Sequence, residues 1–413
     1  MTLQFIGKGV YGCVIKPGIT YSGDDDSNTI DDDTNTISKI FHNEDDYKEE
    51  LKNYFTIIEL IKSNQNYDDE LVDSSIHKYI TKLLNTSTLN SDDIKTLFPS
   101  NILSKCNKLN NHTLFQIQYK YGGISLSDLF KPENLEFRKK IDICKFFTAF
   151  FNVIKFLDLL SQNLYIHADI KLDNILFEID DSDGTYFFRV IDFGILQHQD
   201  TIYTFDNLDF LKQGSLYPPE FIFTANFYIN PDISKVNYNY FFFLEYFKKK
   251  LELIKNNDKI SPKIRKDFSN FYTNFEKKFI ANDTSFQLLY NLFQGVQLLN
   301  SSDSSHSVPD PVPVLNPADI LLNNFIDGVC NVIPSKVHIN IKDKIDVFMF
   351  GTAFLQLLLE IFNSNIDFSF FNQHPIFIKK MLNLIFQMLN PNPCERISFI
   401  QVYYKYSSII SAL

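Results

Sequence analysis

The stretch YIHADIKLDNILF, residues 165 to 177, sets His167, Asp169, Lys171, Asp173 and Asn174 inside an apolar frame of Tyr165, Ile166, Ile170, Ile175, Leu176 and Phe177. Polar groups taken out of water cost free energy unless each finds a partner. Such a stretch therefore marks a place where chemistry is done, or a network whose members satisfy one another. A carboxylate, a cation and a neutral amide are held together in one rigid loop.

The rest of the chain bounds what that loop can serve. With 413 residues, 45% of them hydrophobic and 15% aromatic, the chain can bury a core in two or three compact units or in one large two-lobed domain. A net charge of -11 argues against a general affinity for nucleic acid or anionic membranes, both of which need a basic field. Cys13, Cys106, Cys144, Cys330 and Cys394 are scattered, form no CxxC pair and fit a reducing compartment. MTLQFIGKG lacks the basic start and apolar run of a signal peptide. The greasiest run, Val347 to Phe362, is interrupted by Gln356 and Glu360 and reads as a buried core helix rather than a membrane span. The expectation is a soluble intracellular protein.

Residues 2 to 17 read as a hairpin built on GKGVYGCV. An acidic loop at 22–36 with six Asp follows, before TISKIF resumes a strand. From the cap Asn43, NEDDYKEELKNYFTIIELIKS reads as a helix with an acidic first turn. Its apolar face is Tyr47, Leu51, Tyr54, Phe55, Ile58 and Ile61. Glu50 falls about 60° from the middle of that face and reaches inward, whereas Glu49 meets water. Residues 63 to 98 read as polar and irregular, and TLFQIQYKY (113–121) as a buried strand ended by Gly122 and Gly123. RKKIDICKFFTAFFNVIKFLDLLSQ (138–162) reads as one long helix with Cys144, Phe147, Phe151, Ile154 and Leu157 or Leu160 inward. Beyond Phe221 the spacing is helical, up to an exposed linker carrying Pro309, Pro311, Pro313 and Pro317.

Three further pieces join the opening stretch. Gly7, Gly9, Gly12 and Val14 make GxGxxGxV between two strands, where backbone without side chains can lie over phosphates and offer its amides. Lys39 in ISKIF comes from the next strand, and Glu50 is placed to be its partner anion. VIDFG sets Asp192 after an apolar strand, where a carboxylate can hold Mg2+ against phosphates. A carboxylate base, a phosphate-directed cation and a neutral metal ligand together suit transfer of a phosphoryl group to a hydroxyl.

Glycine loop, strand lysine, HxDxKxxN loop and DFG occur in this order in eukaryotic-type Ser/Thr protein kinases, and the chain resembles that family, most of all the divergent kinases of large DNA viruses such as mimivirus. The resemblance implies an α+β, bilobal protein kinase fold, with a small β-rich lobe at 1–120 and the first part of a larger helical lobe at 121–225. A helical insertion and Pro-rich linker would occupy 226–340, and the rest of the larger lobe 341–413. It implies ATP and Mg2+ as cofactors and Ser/Thr hydroxyls of protein substrates as acceptors. If the protein is viral, it would work in the host cytoplasm or the virion. ATP would meet Ile6, Gly7, Lys8, Gly9, Val10, Tyr11, Gly12, Cys13 and Val14, with Lys39 on its phosphates, Glu50 behind Lys39, and Leu176 under the adenine. Ile37 would narrow the roof of that pocket, Ile117 would be its gatekeeper, and the backbone of 118 to 121 its hinge. Asn174 and Asp192 would hold Mg2+, Asp169 would be the base, and Lys171 would neutralise the transferring group.

The same resemblance gives Pro219, Glu220, Asp346, Gly351 and Arg396 scaffold roles, with Arg396 paired to Glu220. His167 would pack structurally under Phe193, with Tyr54 joining that stack, and Asp173 would be a structural hydrogen-bonding group. Ser215 stands near the family's threonine. Ala168 stands where regulated members carry an arginine that clamps a phosphorylated residue, so activity should not depend on phosphorylation of Thr201, Tyr203 or Thr204. Two alternatives stay open: a pseudokinase that binds without transferring phosphate, and a small-molecule kinase of the same broad fold. The latter generally lacks Lys171 and the Pro-Glu to arginine bracket.

Overall fold

The computed structural model describes residues 3–8, 12–22, 27–30, 35–64, 76–90, 98, 100–106, 113–199, 239–277, 344–364, 366, 368–390 and 395–413. The architecture is mixed α+β, with a β-sheet region toward the N-terminus and a helical C-terminal part. Two compact units divide the chain: Met1–Lys131 with Lys145–Gln197, and Pro132–Cys144 with His198–Leu413.

The first unit is built on an antiparallel five-stranded sheet. In chain order its strands are β1 (Gln4–Lys8), β2 (Gly12–Lys16), β5 (Thr36–Phe41), β6 (Leu83–Asn90) and β7 (Thr113–Lys120), in the spatial order β1-β2-β5-β7-β6. Between β2 and β5, the pair β3 (Ile19–Ser22) and β4 (Ser27–Ile30) forms a small ribbon where the sequence suggested an unbroken acidic loop. The aspartates of that stretch lie outside the described residues.

Strand alternation gives the large sheet two different faces. Cys13, Ile15, Ser38 and Ile40 point to one face and are buried, in a core with Ile19, Leu89, Phe98 and Ile102 that also receives α2 (Ser100–Lys105). Gly12, Val14, Ile37 and Lys39 lie on the other face and are only part-buried. On the covered face the structure joins Cys13 to Cys106 in a disulfide with Cα atoms 5.8 Å apart, whereas the scattered cysteines had suggested free thiols.

Helix α1 (Glu44–Ser63) begins where the sequence puts it: Asn43 Oδ1 accepts from Asp45 N–H at 2.9 Å, and three acidic residues fill the first turn. Its buried face is different from the expected one. Glu50, Asn53, Tyr54, Ile57 and Ile61 are buried, whereas Phe55 is 52% exposed. The face is thus turned by about 60° and centred on Glu50. The polar pair Glu50 and Asn53 goes inward because partners wait there, and Phe55 goes outward as the cost.

Strand β6 lies in the stretch that read as irregular. LLNTSTLN carries polar side chains on both faces and borders the sheet, so it has no apolar alternation to announce it. Helix α4 (Ile143–Gln162) starts five residues later than the expected long helix, and it buries Phe146, Phe147, Phe150, Ile154, Leu157 and Leu160 while Cys144 and Phe151 stay part-exposed. Between β7 and α4, β8 (Ile124–Ser125) and α3 (Leu126–Leu129) lead on. Strands β9 (Ile175–Ile179) and β10 (Tyr186–Val190) complete a second sheet in the order β10-β9-β8. Gly123 makes that joint fit. Its φ is +105°, and an added Cβ would stand 2.3 Å from the Phe177 carbonyl oxygen.

The second unit is helical among its described residues. Helices α5 (Asn239–Lys255) and α6 (Pro262–Glu276), from the segment expected to be an insertion, pack with α7 (Ile345–Asn363) and α9 (Pro375–Met388). Phe247, Phe268, Phe271 and Phe275 bury at helical spacing, and Phe268 meets Phe362 edge-on at 5.0 Å. Helices α8 (Ser369–Gln373) and α10 (Phe399–Ile410) complete it. Among the described residues α7 alone is long and apolar enough to cross a membrane, and 89% of its apolar window is buried inside the protein, in line with the core-helix expectation. A cavity of about 590 Å³ lined by Arg138, Lys139, Ile141, Lys259, Phe368 and Asn372 belongs wholly to this unit and holds none of the motif residues.

Candidate active site

Lys39, Glu50, Asp169, Lys171, Asn174 and Asp192 all fall in the first unit, and the local structure brings them to two adjoining clusters. The first is centred on Lys39. Its Nζ lies 2.9 Å from Glu50 Oε1 and 2.8 Å from Asp192 Oδ1, joining β5, α1 and the turn after β10. The side chains of Lys39 and Glu50 are 14% and 5% exposed, against 33% for Asp192. Burial by itself would lower the lysine, but Asp192 and Glu50 together hold its pKa above the ordinary value. Glu50 is raised, first by burial and only partly relieved by Lys39, while Asp192 is lowered because Lys39, Lys171 and His167 outweigh its own burial. Glu49, on the outer side, pairs with Lys52 in water.

The second cluster is the loop between α4 and β9. Lys171 Nζ donates to both oxygens of Asp169, at 3.0 and 2.8 Å. Asn174 Nδ2 donates to the Asp169 carbonyl at 2.8 Å and to its Oδ2 at 2.9 Å. Asp169 is 3% exposed and Asn174 5% exposed, so both bonds are shielded from water. His167, fully buried, accepts at Nδ1 from the Asp169 amide at 3.3 Å and faces the Ile191 carbonyl with Nε2 at 3.1 Å. The two bonds hold the ring with Nδ1 toward the Asp169 amide and Nε2 toward the Ile191 carbonyl. Its ring meets Phe193 edge-on at 5.4 Å, the packing role read from the sequence. Asp173 accepts from the Ser127 hydroxyl at 2.9 Å.

Main-chain bonds tie the clusters to each other. The Ile191 amide donates to Asn174 O at 3.0 Å, which sets Asp192 one residue from the loop. Ala168 and Asp192 both adopt positive φ, 63° and 67°, a conformation that L residues with a Cβ rarely take. Leu164, just after α4, shares it at 62°, and such local strain persists where the surroundings enforce it.

The glycine stretch is described in part. Ile6 is 43% exposed, β1 and β2 run antiparallel with Lys8 opposite Cys13, and Gly9, Val10 and Tyr11 lie outside the described residues. Gly12 is required by close packing, since a Cβ would stand 1.9 Å from Ile40 O. The Cys13 side chain turns away from Lys39 into the covered core, leaving only its backbone for a ligand on the lysine face. Leu176, 7% exposed, pairs with Ser125.

Ile117 is fully buried opposite Lys39, but Tyr119, two residues on and on the same face, reaches α1, with its ring 5.9 Å from that of Tyr54. The amides of Lys120 and Tyr121 are already committed, to Lys82 O at 2.8 Å and Asn35 O at 2.5 Å. Neither of these two amides is free to donate to a ligand. The expected stack of Tyr54 with His167 and Phe193 is also recast: the Tyr54 hydroxyl bonds the backbone at Thr81 and Leu83, and its neighbour Asn53 makes the bond to Phe193.

Sequence reading passed over Asn53 and Arg189. Arg189 binds Glu178 at 2.6 Å, His77 O at 2.8 Å and Gly122 O at 3.1 Å, and so fixes the start of the 122–125 crossing. Neither residue belongs to a motif; the spacing of three between Glu50 and Asn53 was the available signal. In the second unit Arg396, 2% exposed, donates to Asn390 O and Lys344 O and covers the Phe348 ring. Pro219, Glu220, Ser215, Thr201, Tyr203, Thr204 and the proline linker lie outside the described residues.

Asp192 and Asn174 offer hard oxygen donors. With Asn174 Nδ2 turned onto Asp169, its amide oxygen remains for a cation. Among the described residues no group of three or more His, Cys, Asp or Glu is assembled. Mg2+ commonly takes one or two protein ligands and completes its shell with water and substrate phosphates, so this donor set fits it. Compared with known protein families and with curated proteins, the chain matches no family model and no individual protein.

Proposed function

We propose that the chain is an ATP-dependent protein kinase of bilobal kinase fold, transferring the γ-phosphate of ATP to Ser or Thr hydroxyls of protein substrates. One observation carries the reading: Lys39 is held at once by Glu50 and Asp192, beside a loop in which Lys171 and Asn174 orient Asp169. Nothing in packing alone calls for five charges to converge around a part-buried sheet face.

In this reading Lys39 neutralises phosphate oxygens and Glu50 keeps the ammonium on station. Asp192 and Asn174 would hold Mg2+, which when bound supplies charge neutralisation between the phosphates. Asp169 orients the substrate hydroxyl and accepts its proton on a carboxylate oxygen as the new O–P bond forms and ADP leaves. Lys171 is poised to leave Asp169 for the charge that develops on the transferring group. Adenine recognition falls to backbone from Gly122 onward, because the two amides before it are taken. The test is incubation with Mg2+ and γ-labelled ATP against a generic basic protein, an acidic one, sugars and amino alcohols, followed by phosphoamino-acid analysis. Label on serine and threonine is expected; label confined to the small molecules would replace the acceptor, and no label on any acceptor would refute the activity.

A further inference from the structure

We infer that Asn53 is a positioning residue that locks α1 to the Asp192–Phe193 turn in the unmodified chain, so that the Lys39–Glu50 pair forms without any phosphorylation. The inference rests on the kinase reading for its effect on turnover, but not for the contact itself.

Asn53 sits one turn after Glu50 on the same helix face and is 5% exposed. Its Nδ2 donates to the carbonyl oxygen of Phe193 at 2.8 Å, in a buried bond that spans 140 residues of sequence. The carbonyl belongs to the residue directly after Asp192, which itself sits at φ 67° and holds Lys39. Helix and turn therefore share one buried hydrogen bond and one shared cation.

Tyr54 provides the second anchor. Its hydroxyl donates to Thr81 O at 3.1 Å and accepts from Leu83 N–H at 3.0 Å, fixing the same helical turn to the start of β6. The two anchors leave the helix in different directions, so α1 can neither rotate nor slide without breaking one. A rotation by one residue, about 100°, would carry both side chains off their partners. Each broken bond would leave a buried backbone group unsatisfied, which disfavours the displaced state strongly.

A bare apolar face would not impose this. Ile57 and Ile61 hold the helix against the sheet, but apolar packing is less particular about register than a directional bond to a single carbonyl. The same helix gives up burial of Phe55 to put Asn53 inward. At position 168 the loop carries alanine, which offers no charge through which a phosphate could act on it.

The experiment compares the wild-type chain with Asn53→Ala, Asn53→Asp and Asn53→His, each treated with phosphatase. Asp keeps the size but loses the donor; His can place a ring N–H near the position of Nδ2. The outward Phe55→Ala is the control. Asn53→Ala and Asn53→Asp are expected to lower kcat about tenfold with a much smaller change in KM for the acceptor. Asn53→His should recover part of the loss, and phosphatase should leave the wild type unchanged. Amide exchange over 190–196 and α1 should quicken in Asn53→Asp and not in Phe55→Ala. An Asn53→Asp enzyme as active as wild type would overturn the inference, as would wild-type activity lost on phosphatase treatment. If the wild type shows no Asp169-dependent transfer, the kinase reading falls alone; exchange unchanged in Asn53→Asp then overturns the contact as well.

Discussion

Glu50 is the residue on which the electrostatics turn. Its carboxyl is raised above the ordinary glutamate range, first by burial, whereas Asp192 is lowered by its cations. A raised folded-state value means that the native protein binds the proton more tightly than the unfolded chain. Ionising Glu50 therefore costs stability, and the cost appears as pH rises above about 4, the unfolded value, and is complete above the raised one. Asp192 has the opposite sign: its contribution is present at neutral pH and is lost only as pH falls through its lowered value. Glu50→Gln removes the first dependence and leaves the second. The Tm of Glu50→Gln minus that of wild type should consequently be larger at pH 7 than at pH 5; a difference that grows toward low pH would show that Glu50 is stabilised as the anion. Turnover should nevertheless fall in this variant, because a neutral amide holds Lys39 less firmly.

At the scale of elements, two joints decide where the polar residues arrive. Gly123 lets the chain pass against Phe177, so that β8 can pair with β9 beside the Asp169 loop. Gly123→Ala would meet both a positive φ and a backbone oxygen 2.3 Å away, and should destabilise the fold by about 2 kcal/mol or more, read from denaturant midpoints. The other joint is the Cys13–Cys106 disulfide, which closes a loop of sequence separation 93 between β2 and the end of α2. Closing a loop of that length is worth up to about 4 kcal/mol through the unfolded state. Reduction should lower the wild-type Tm and leave Cys106→Ser unaffected; equal responses of the two proteins would mean that the bond does not form in solution. Elements announced by strong local signals were legible in the sequence: the Asn43 cap of α1, the hairpin glycines and the alternation of TISKIF. Strand β6 was not, because polar residues on both its faces carry no period. The burial of Asn53 was not either, since an amide goes inward only where a particular carbonyl waits, and that carbonyl is 140 residues away.

On the scale of the molecule, the motif residues gather in one unit although they are spread from Gly7 to Asp192 along the chain. Polar residues in an apolar frame were readable from sequence as a partnered cluster because burial demands partners, and the structure supplies those partners to Lys39, Asp169, Asn174 and Asp192. Strand spacing also does not reveal that the amides of Lys120 and Tyr121 pair with Lys82 and Asn35. The helical unit, with its aromatic seams between α6, α7 and α9, needs no motif to be understood; helical spacing of phenylalanine suffices. The central claim, phosphoryl transfer with Asp169 as base, is tested most directly by measuring incorporation of labelled γ-phosphate into protein by wild type and by Asp169→Asn. That substitution keeps the size of the side chain and removes its capacity to accept a proton. The wild type should transfer label, and the variant should lose about 10²- to 10⁴-fold of the rate while keeping its Tm; equal incorporation by the two proteins would contradict the account.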